Sequence, residues 1–126
     1  MSVEPIQRVA LTRPLFVCWM GRYRSRTAAR LVASQPGVQV DYGGIGARPD
    51  RVITQAMVDA CDSVFAMEHD QRRWFQRAFP RATQPIVVLG IEDIYDYMQP
   101  ELVNVLRMRL REDFPGMGHM LASSCW

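Results

Sequence analysis

The sequence predicts an α/β fold in which helices flank a four-stranded parallel sheet. Short apolar runs alternate along the chain with longer segments whose apolar residues recur at helical spacing. This alternation favours a parallel sheet with right-handed crossovers. The predicted elements, in order, are strand 15–17, helix 25–33, strand 38–42, helix 54–61, strand 63–67, helix 68–79, strand 85–89 and helix 100–113.

The first strand and helix have local signals at their ends. Residues 15–17 read Leu-Phe-Val, an apolar run that is too short for a helix and therefore indicates a buried strand. Ser25 is a residue type that caps helices, so we expect it to start the first helix. The Pro36-Gly37 pair ends that helix.

The next two elements are defined in the same way. Residues 38–42 alternate between apolar and polar side chains, as a half-buried strand does, and Gly43-Gly44 marks its end. Thr54 is a suitable cap for the helix that follows, up to about Cys61.

Prolines delimit the second half of the chain. The third strand, 63–67, leads into a helix that Pro80 stops. Pro85 opens the fourth strand, a position that tolerates proline. Pro100 suits the first turn of the last helix, which ends before Pro115.

Composition limits the classes of protein to consider. The 126 residues suit one domain, which we place at 14–113 between a leader (1–13) and a C-terminal tail (114–126). The 15 basic residues, all Arg, nearly balance 13 acidic ones, so no nucleic-acid partner is indicated. No apolar run is long enough to span a membrane, and the start does not resemble a secretion signal. Three cysteines imply no disulfide framework and suit the reducing cytoplasm.

The segment that joins the first strand to the first helix, residues 18–25, carries the strongest chemical signal. It reads C-W-M-G-R-Y-R-S, and backbone N–H groups at the start of a helix can surround an anion. We therefore predict a phosphate-binding loop after the first strand. Cys18 would be the nucleophile, since such surroundings favour its thiolate. Arg24 would hold two phosphate oxygens with its planar fork, and the Ser25 hydroxyl would bond the sulfur.

Every residue of this loop also has a purely structural interpretation. A cysteine after a buried strand is often a small core residue, and an arginine or serine at a helix start is often only solvated or capping. Arg22 could be a cation at the pocket rim or a surface residue. Trp19 and Tyr23 could be pocket walls or core residues. The predicted phosphate-binding set is Trp19, Met20, Gly21, Arg22, Tyr23 and Arg24.

These motifs resemble the low-molecular-weight protein tyrosine phosphatases, above all a compact bacterial branch. The likeness runs from about Leu15 to Leu110. Its blocks are L-F-V-C-x5-R-S, the V-D-Y-G-G of residues 40–44, the A-C-D-S-V-F-A-M-E of residues 60–68 and the acidic stretch 91–98. The resemblance implies hydrolysis of aryl phosphate monoesters through a phosphocysteine, with no cofactor or metal. Its substrate would be a phosphotyrosine-containing protein or a small aryl phosphate.

The resemblance also assigns a proton donor in the acidic loop. A positioned carboxyl group can protonate an aryl oxide as it leaves phosphorus, and Glu92, Asp93 and Asp96 are candidates. The family's Asp-Pro-Tyr matches Asp93-Ile94-Tyr95, which favours Asp93, with Glu92 and Asp96 as solvated loop residues. Tyr95 could stack on a substrate ring or pack against the sheet.

Three positions depart from the family pattern. Ile94 replaces the proline of the acidic loop. Gly21 replaces an asparagine that braces the phosphate loop, and Tyr23 replaces a second loop cysteine. These departures leave two rivals, an arsenate reductase on the same fold, which would need Cys61 or Cys125 as a relay thiol, and a non-catalytic phosphate or phosphotyrosine reader.

The remaining polar residues are predicted to be structural. His69 and His119 have no partners at metal-ligand spacing. Glu68 is expected to pair with Arg72 at i,i+4. The arginines of the third helix are expected to form a solvated face, with a docking surface for an acidic partner as the alternative. Trp74 and Phe75 on that helix are expected to pack.

Overall fold

The computed structural model of the protein describes residues 11–115, so His119 and Cys125 lie outside the described residues. Its elements are β1 (Pro14–Cys18), α1 (Arg24–Val32), β2 (Asp41–Gly44), α2 (Gln55–Ala60), β3 (Ser63–Ala66), α3 (His69–Ala78), β4 (Ile86–Val88) and α4 (Pro100–Leu110). The four strands form one parallel sheet in the order β2-β1-β3-β4. The predicted fold class is confirmed.

The sheet has a hydrophobic cluster on each face because neighbouring side chains of a strand point to opposite sides. Phe16 and Cys18 of β1 belong to the cluster that includes residues of α1 and α4. Leu15 and Val17 belong to the other, which includes Val58 of α2 and Phe75 of α3. Burial on both faces explains why β1 is apolar throughout, as strands of parallel sheets usually are.

Residues beside the predicted domain limits join this core. Phe114 is buried in the cluster of α1 and α4, where its ring centroid lies 5.8 Å from that of Phe65. Leu11 packs against the same cluster. Within residues 11–115, no helix is both long and apolar enough to cross a membrane.

The ends of several elements differ from the prediction. The first helix begins at Arg24 with Tyr23 as its N-cap, so the prediction that Ser25 caps it is wrong. The contact of the Ser25 hydroxyl with the Cys18 sulfur is a separate role and is described below. The predicted Thr54 cap is confirmed, since the Thr54 hydroxyl accepts a hydrogen bond from the Met57 N–H at 3.2 Å.

The second strand lies farther along the chain than predicted. It includes Gly43 and Gly44, which pair with Val17 and Cys18 of β1. The glycine pair, predicted to stop the strand, instead forms its last two residues. Glycine is tolerated there because another backbone approaches closely, and this contact helps to shape the candidate site.

Candidate active site

The loop of residues 19–23 joins the end of β1 to the start of α1, at the carboxyl edge of the sheet. Ligands of parallel α/β sheets bind at this edge. Cys18, the last residue of β1, is buried. Its Sγ lies 3.0 Å from the Ser25 Oγ and accepts a hydrogen bond from the Gly21 N–H at 3.1 Å. Both groups can stabilise a thiolate, which is the nucleophilic form of cysteine.

Backbone hydrogen bonds from the segment after β2 brace this loop. The N–H of Ile45 donates to the Cys18 carbonyl at 3.0 Å, that of Gly46 to the Trp19 carbonyl at 2.8 Å, and that of Asp50 to the Met20 carbonyl at 2.8 Å. Gly21 contributes no side-chain hydrogen bond to the loop. In this chain, main-chain groups hold the loop instead.

Gly21 lies where a side chain would collide with the backbone of β2. Its φ is +66°, which L side chains adopt rarely. A Cβ there would lie 2.8 Å from the Gly44 nitrogen and 2.9 Å from the Gly43 carbonyl carbon. Both neighbours are main-chain atoms of β2, so they cannot turn aside as a side chain could. The glycine of the loop and the glycine pair of the strand therefore belong to one packing arrangement.

Arg24 is 2% exposed, and a buried guanidinium needs partners to offset the loss of water. Its Nη1 donates to the Glu68 Oε2 and to the Ile91 carbonyl, each at 2.7 Å. Because Nη1 carries the hydrogen bonds that Arg24 makes within the described residues, the Nε and Nη2 edge of its guanidinium can take a two-oxygen ligand.

Glu68 is the residue that the sequence analysis missed. Its predicted pairing with Arg72 is wrong, because the Glu68 carboxylate bonds Arg24 and also accepts from the Gln71 amide at 3.3 Å. The available signal was its place just after β3, since the carboxyl ends of neighbouring parallel strands share one edge.

The acidic loop brings one carboxylate close to Arg24. Asp93 Oδ1 lies 3.6 Å from the Arg24 Nε, and the Asp93 side chain is 59% exposed. Glu92 and Asp96 are exposed and have no ion pair with Arg24 in the described part of the chain. Tyr95 is half-buried and packs against the cluster of α1 and α4. Asp93 is therefore the candidate proton donor, because its carboxylate lies beside Arg24 at the end of the phosphate-binding loop.

The rim of the loop carries charged and aromatic side chains. Arg22 makes a two-point ion pair with Asp50, with Nε–Oδ2 and Nη2–Oδ1 distances of 2.7 and 3.0 Å. This hydrogen bonding raises the pKa of Arg22 above its ordinary value. Both side chains are about half exposed, so Arg22 lies at the surface of the rim.

Trp19 meets Trp74 of α3 edge-to-face, with ring centroids 6.5 Å apart. Trp74 is 52% exposed, so its predicted packing is only partial, whereas Phe75 is buried as expected.

No protein-family model and no curated protein matches the chain. Several solved structures do match the chain. The YwlE arginine phosphatase of Geobacillus stearothermophilus is 21% identical, with 91% of this chain and 99% of that chain covered and a TM-score of 0.64. A low molecular weight protein tyrosine phosphatase of Bacillus subtilis is also 21% identical, with 83% and 98% covered and a TM-score of 0.61. The chain has the low molecular weight phosphatase fold.

A third structure with this fold holds an anion. The tyrosine phosphatase Wzb of Escherichia coli K30, solved in complex with phosphate, is 17% identical, with 87% of this chain and 99% of that chain covered and a TM-score of 0.65. These identities are low, so the comparisons establish the phosphatase fold and leave the activity to the residues of the site.

Cys61 lies at the opposite edge of the phosphatase fold from Cys18. It follows α2 directly and precedes β3, whereas Cys18 ends β1. Its Sγ donates to the Val58 carbonyl at 3.2 Å. Burial, with a smaller contribution from Asp62, raises the pKa of Cys61 to about 11. Within residues 11–115, no group of His, Cys, Asp and Glu is arranged to hold a metal ion.

Proposed function

We propose that the chain is a cysteine-dependent phosphatase that hydrolyses aryl phosphate monoesters through a phosphocysteine at Cys18. The observation that carries this proposal is the pairing of a buried nucleophile with a buried, anchored arginine. The Ser25 hydroxyl lies 3.0 Å from the Cys18 sulfur. Arg24, which directly precedes Ser25, donates hydrogen bonds to the Glu68 carboxylate and the Ile91 carbonyl. Within residues 11–115, Nη1 makes the hydrogen bonds of Arg24, so the Nε and Nη2 edge, with Asp93 3.6 Å from Nε, is available to two phosphate oxygens.

In the first step, the Cys18 thiolate attacks phosphorus as the bond from phosphorus to the aryl oxygen breaks. Asp93, in its protonated form, gives its proton to the departing aryl oxide. The products are a phosphocysteine, a phenol and the Asp93 carboxylate. The 3.6 Å approach of Asp93 to the Arg24 guanidinium supports this role, because it puts the carboxyl group beside the expected phosphate position.

In the second step, the Asp93 carboxylate takes a proton from a water molecule whose oxygen attacks the phosphocysteine. The bond from phosphorus to sulfur breaks, and inorganic phosphate leaves. The Ser25 hydroxyl and the Gly21 N–H stabilise the returning thiolate through the contacts at 3.0 and 3.1 Å. Arg24 would bind the phosphoryl oxygens, whose charge is spread in the transition state.

The rival reductase needs a thiol that can reach Cys18. Cys61 follows α2 at the amino end of β3, and its pKa of about 11 keeps it mostly protonated near neutral pH. It is therefore a poor relay thiol on grounds of both place and chemistry. The phosphate reader has the same site as the phosphatase and differs only in turnover, so an assay separates the two.

The test is phosphate release, without added metal, from nitrophenyl phosphate, a phosphotyrosine peptide and phosphoarginine. We expect the wild-type chain to hydrolyse both aryl esters. The Cys18→Ser variant should hydrolyse neither. Phosphoarginine is included because arginine and tyrosine phosphatases both share this fold. Binding of the phosphotyrosine peptide without release would favour the reader. Thiol-dependent arsenate reduction that exceeds ester hydrolysis would favour the reductase.

A further inference from the structure

A basic groove runs beside the candidate active site. It lies between the outer face of α1, the strand β2 and the end of the acidic loop, and it encloses about 530 Å³ in an open trough. Its polar lining consists of Arg26, Arg30, Arg51, Asp41, Tyr42 and Tyr97. None of these residues takes part in the proposed chemistry.

Tyr97 orients two of the three arginines. The Arg26 guanidinium carbon lies 4.1 Å from the centroid of the Tyr97 ring, and the Arg30 Nη1 donates to the Tyr97 hydroxyl at 3.2 Å. Within residues 11–115, neither arginine pairs with a carboxylate. A neutral side chain thus holds two exposed guanidinium groups. The pKa of Asp50 is lowered mainly by its hydrogen bond with Arg22 and more weakly by the charge of Arg26, and this carboxylate is bonded to Arg22 and not to Arg26.

The third arginine is already paired. Arg51 Nη2 lies 2.8 Å from the Asp41 Oδ1, and Arg51 Nε donates to the Tyr42 carbonyl at 2.9 Å. Three arginines against one aspartate leave the groove with a net charge of +2. The excess belongs to Arg26 and Arg30, which lie four residues apart and therefore on one face of α1.

The opposite side of the site has the opposite charge. A second groove, between the start of α3 and the acidic loop, is lined by Glu68, Asp70 and Glu92, with His69 beside them. Arg24 contacts Glu68 on that side, while Arg26 and Arg30 follow it along α1. Glu68 is paired with Arg24 and Asp70 with Arg73, so of these carboxylates only Glu92 has no ion pair within residues 11–115. A peptide that crosses the site would therefore meet the larger unpaired charge, which is positive, on the side of Arg26 and Arg30.

We propose that the basic groove docks an acidic segment of a protein substrate next to the phosphorylated residue, an inference that rests on the proposed phosphatase activity. Arg30 is six residues beyond Arg24, so it lies about 9 Å farther along the helix axis. An extended peptide advances about 3.3 Å per residue. Acidic side chains roughly three positions from the phosphorylated residue would reach the two guanidinium groups. Because Tyr97 holds these groups, little side-chain freedom is lost on binding.

The experiment compares two phosphotyrosine peptides, one with glutamates two to four positions from the phosphotyrosine on both sides and one with glutamines there. We expect the wild-type chain to favour the acidic peptide in kcat/KM by about five- to twenty-fold, since each exposed pair contributes up to about fivefold. Arg26→Gln/Arg30→Gln should reduce this ratio to near one. The ratio should also fall as salt is added.

The matched control is Arg77→Gln/Arg81→Gln, near the end of α3 and just beyond it, which removes two exposed arginines four residues apart that make no ion pair within residues 11–115. This control should retain the wild-type ratio. An equal fall in both double variants would show a general effect of net charge and would overturn the docking proposal. A ratio of kcat/KM values that is unchanged in Arg26→Gln/Arg30→Gln would also overturn it.

A binding measurement makes the test independent of turnover. The unphosphorylated acidic peptide, titrated against the Cys18→Ser chain, should bind more weakly when Arg26 and Arg30 are both replaced. If the wild-type chain hydrolyses no aryl phosphate, the proposed function fails. The binding measurement still shows whether the basic groove docks an acidic peptide. A short DNA oligonucleotide that binds as well as the peptide, with the same dependence on Arg26 and Arg30, would refute a peptide-specific role.

Discussion

Gly21 offers a direct test of how the loop is built, because this chain contains a matched control. Gly21 and Gly37 both have positive φ values, +66° and +76°. A Cβ on Gly37 would have no atom within 4 Å, whereas a Cβ on Gly21 would lie 2.8 and 2.9 Å from main-chain atoms of β2. Alanine at Gly37 therefore introduces backbone strain alone, and alanine at Gly21 introduces strain plus a collision.

The two substitutions should differ by the free energy of that collision. A non-glycine residue in the left-handed region costs about 1–2 kcal/mol. Forcing an extra methyl group into packed surroundings costs roughly 1–3 kcal/mol more. We expect Gly37→Ala to lower the free energy of unfolding by about 1–2 kcal/mol and Gly21→Ala by about 2–5 kcal/mol. The effect of alanine on the unfolded chain is the same in both variants and cancels in the comparison.

Activity should separate the two variants even more clearly. Relief of the collision must move the loop away from Gly43 and Gly44, and a displacement near 1 Å in a catalytic site can cost about 100-fold in rate. Urea unfolding gives the stabilities, and kcat/KM for nitrophenyl phosphate, corrected for the folded fraction, gives the activities. Equal losses of stability at Gly21 and Gly37, with activity retained in both, would refute the close approach of loop and strand.

Three further predictions concern single side chains. Arg24→Lys should lower kcat/KM by roughly 10²–10³-fold, because a lysine cannot bond Glu68 and Ile91 and also hold two phosphate oxygens; near wild-type kcat/KM would exclude the clamp. Asp93→Asn should slow phosphotyrosine cleavage by about 10²–10⁴-fold in single-turnover kinetics, and nitrophenyl phosphate cleavage much less, because the tyrosine phenol has a pKa of about 10 and needs a proton to leave. Asp96→Asn is the control, and equal losses for both esters in Asp93→Asn would remove Asp93 as the acid. Cys61→Ala should lower the free energy of unfolding by only about 1 kcal/mol and leave ester hydrolysis unchanged; loss of hydrolysis would revive a relay role for that thiol.

The sequence by itself determined the fold class and the main parts of the loop. Strand, loop and helix follow one another within residues 14–32, and their signals are local: an apolar run, a glycine and helical spacing. Cys18, Arg24 and Ser25 are close in the chain, so their grouping follows from that local order. The contact between the Cys18 sulfur and the Ser25 hydroxyl needs only the turn between β1 and α1.

The tertiary structure alone decided which distant residues complete the site. Glu68 is 44 residues from Arg24, and its alternative partner Arg72 was one helical turn away, so sequence spacing favoured the wrong pair. The glycines of β2 could be taken for a strand end because nothing local shows that the loop packs on them. The basic groove has the same origin, since Tyr97 meets Arg26 and Arg30 only after the acidic loop folds back on α1. Helical and strand periods are properties of neighbouring residues, whereas the partner of a buried or stacked charge is set by how separate elements pack together.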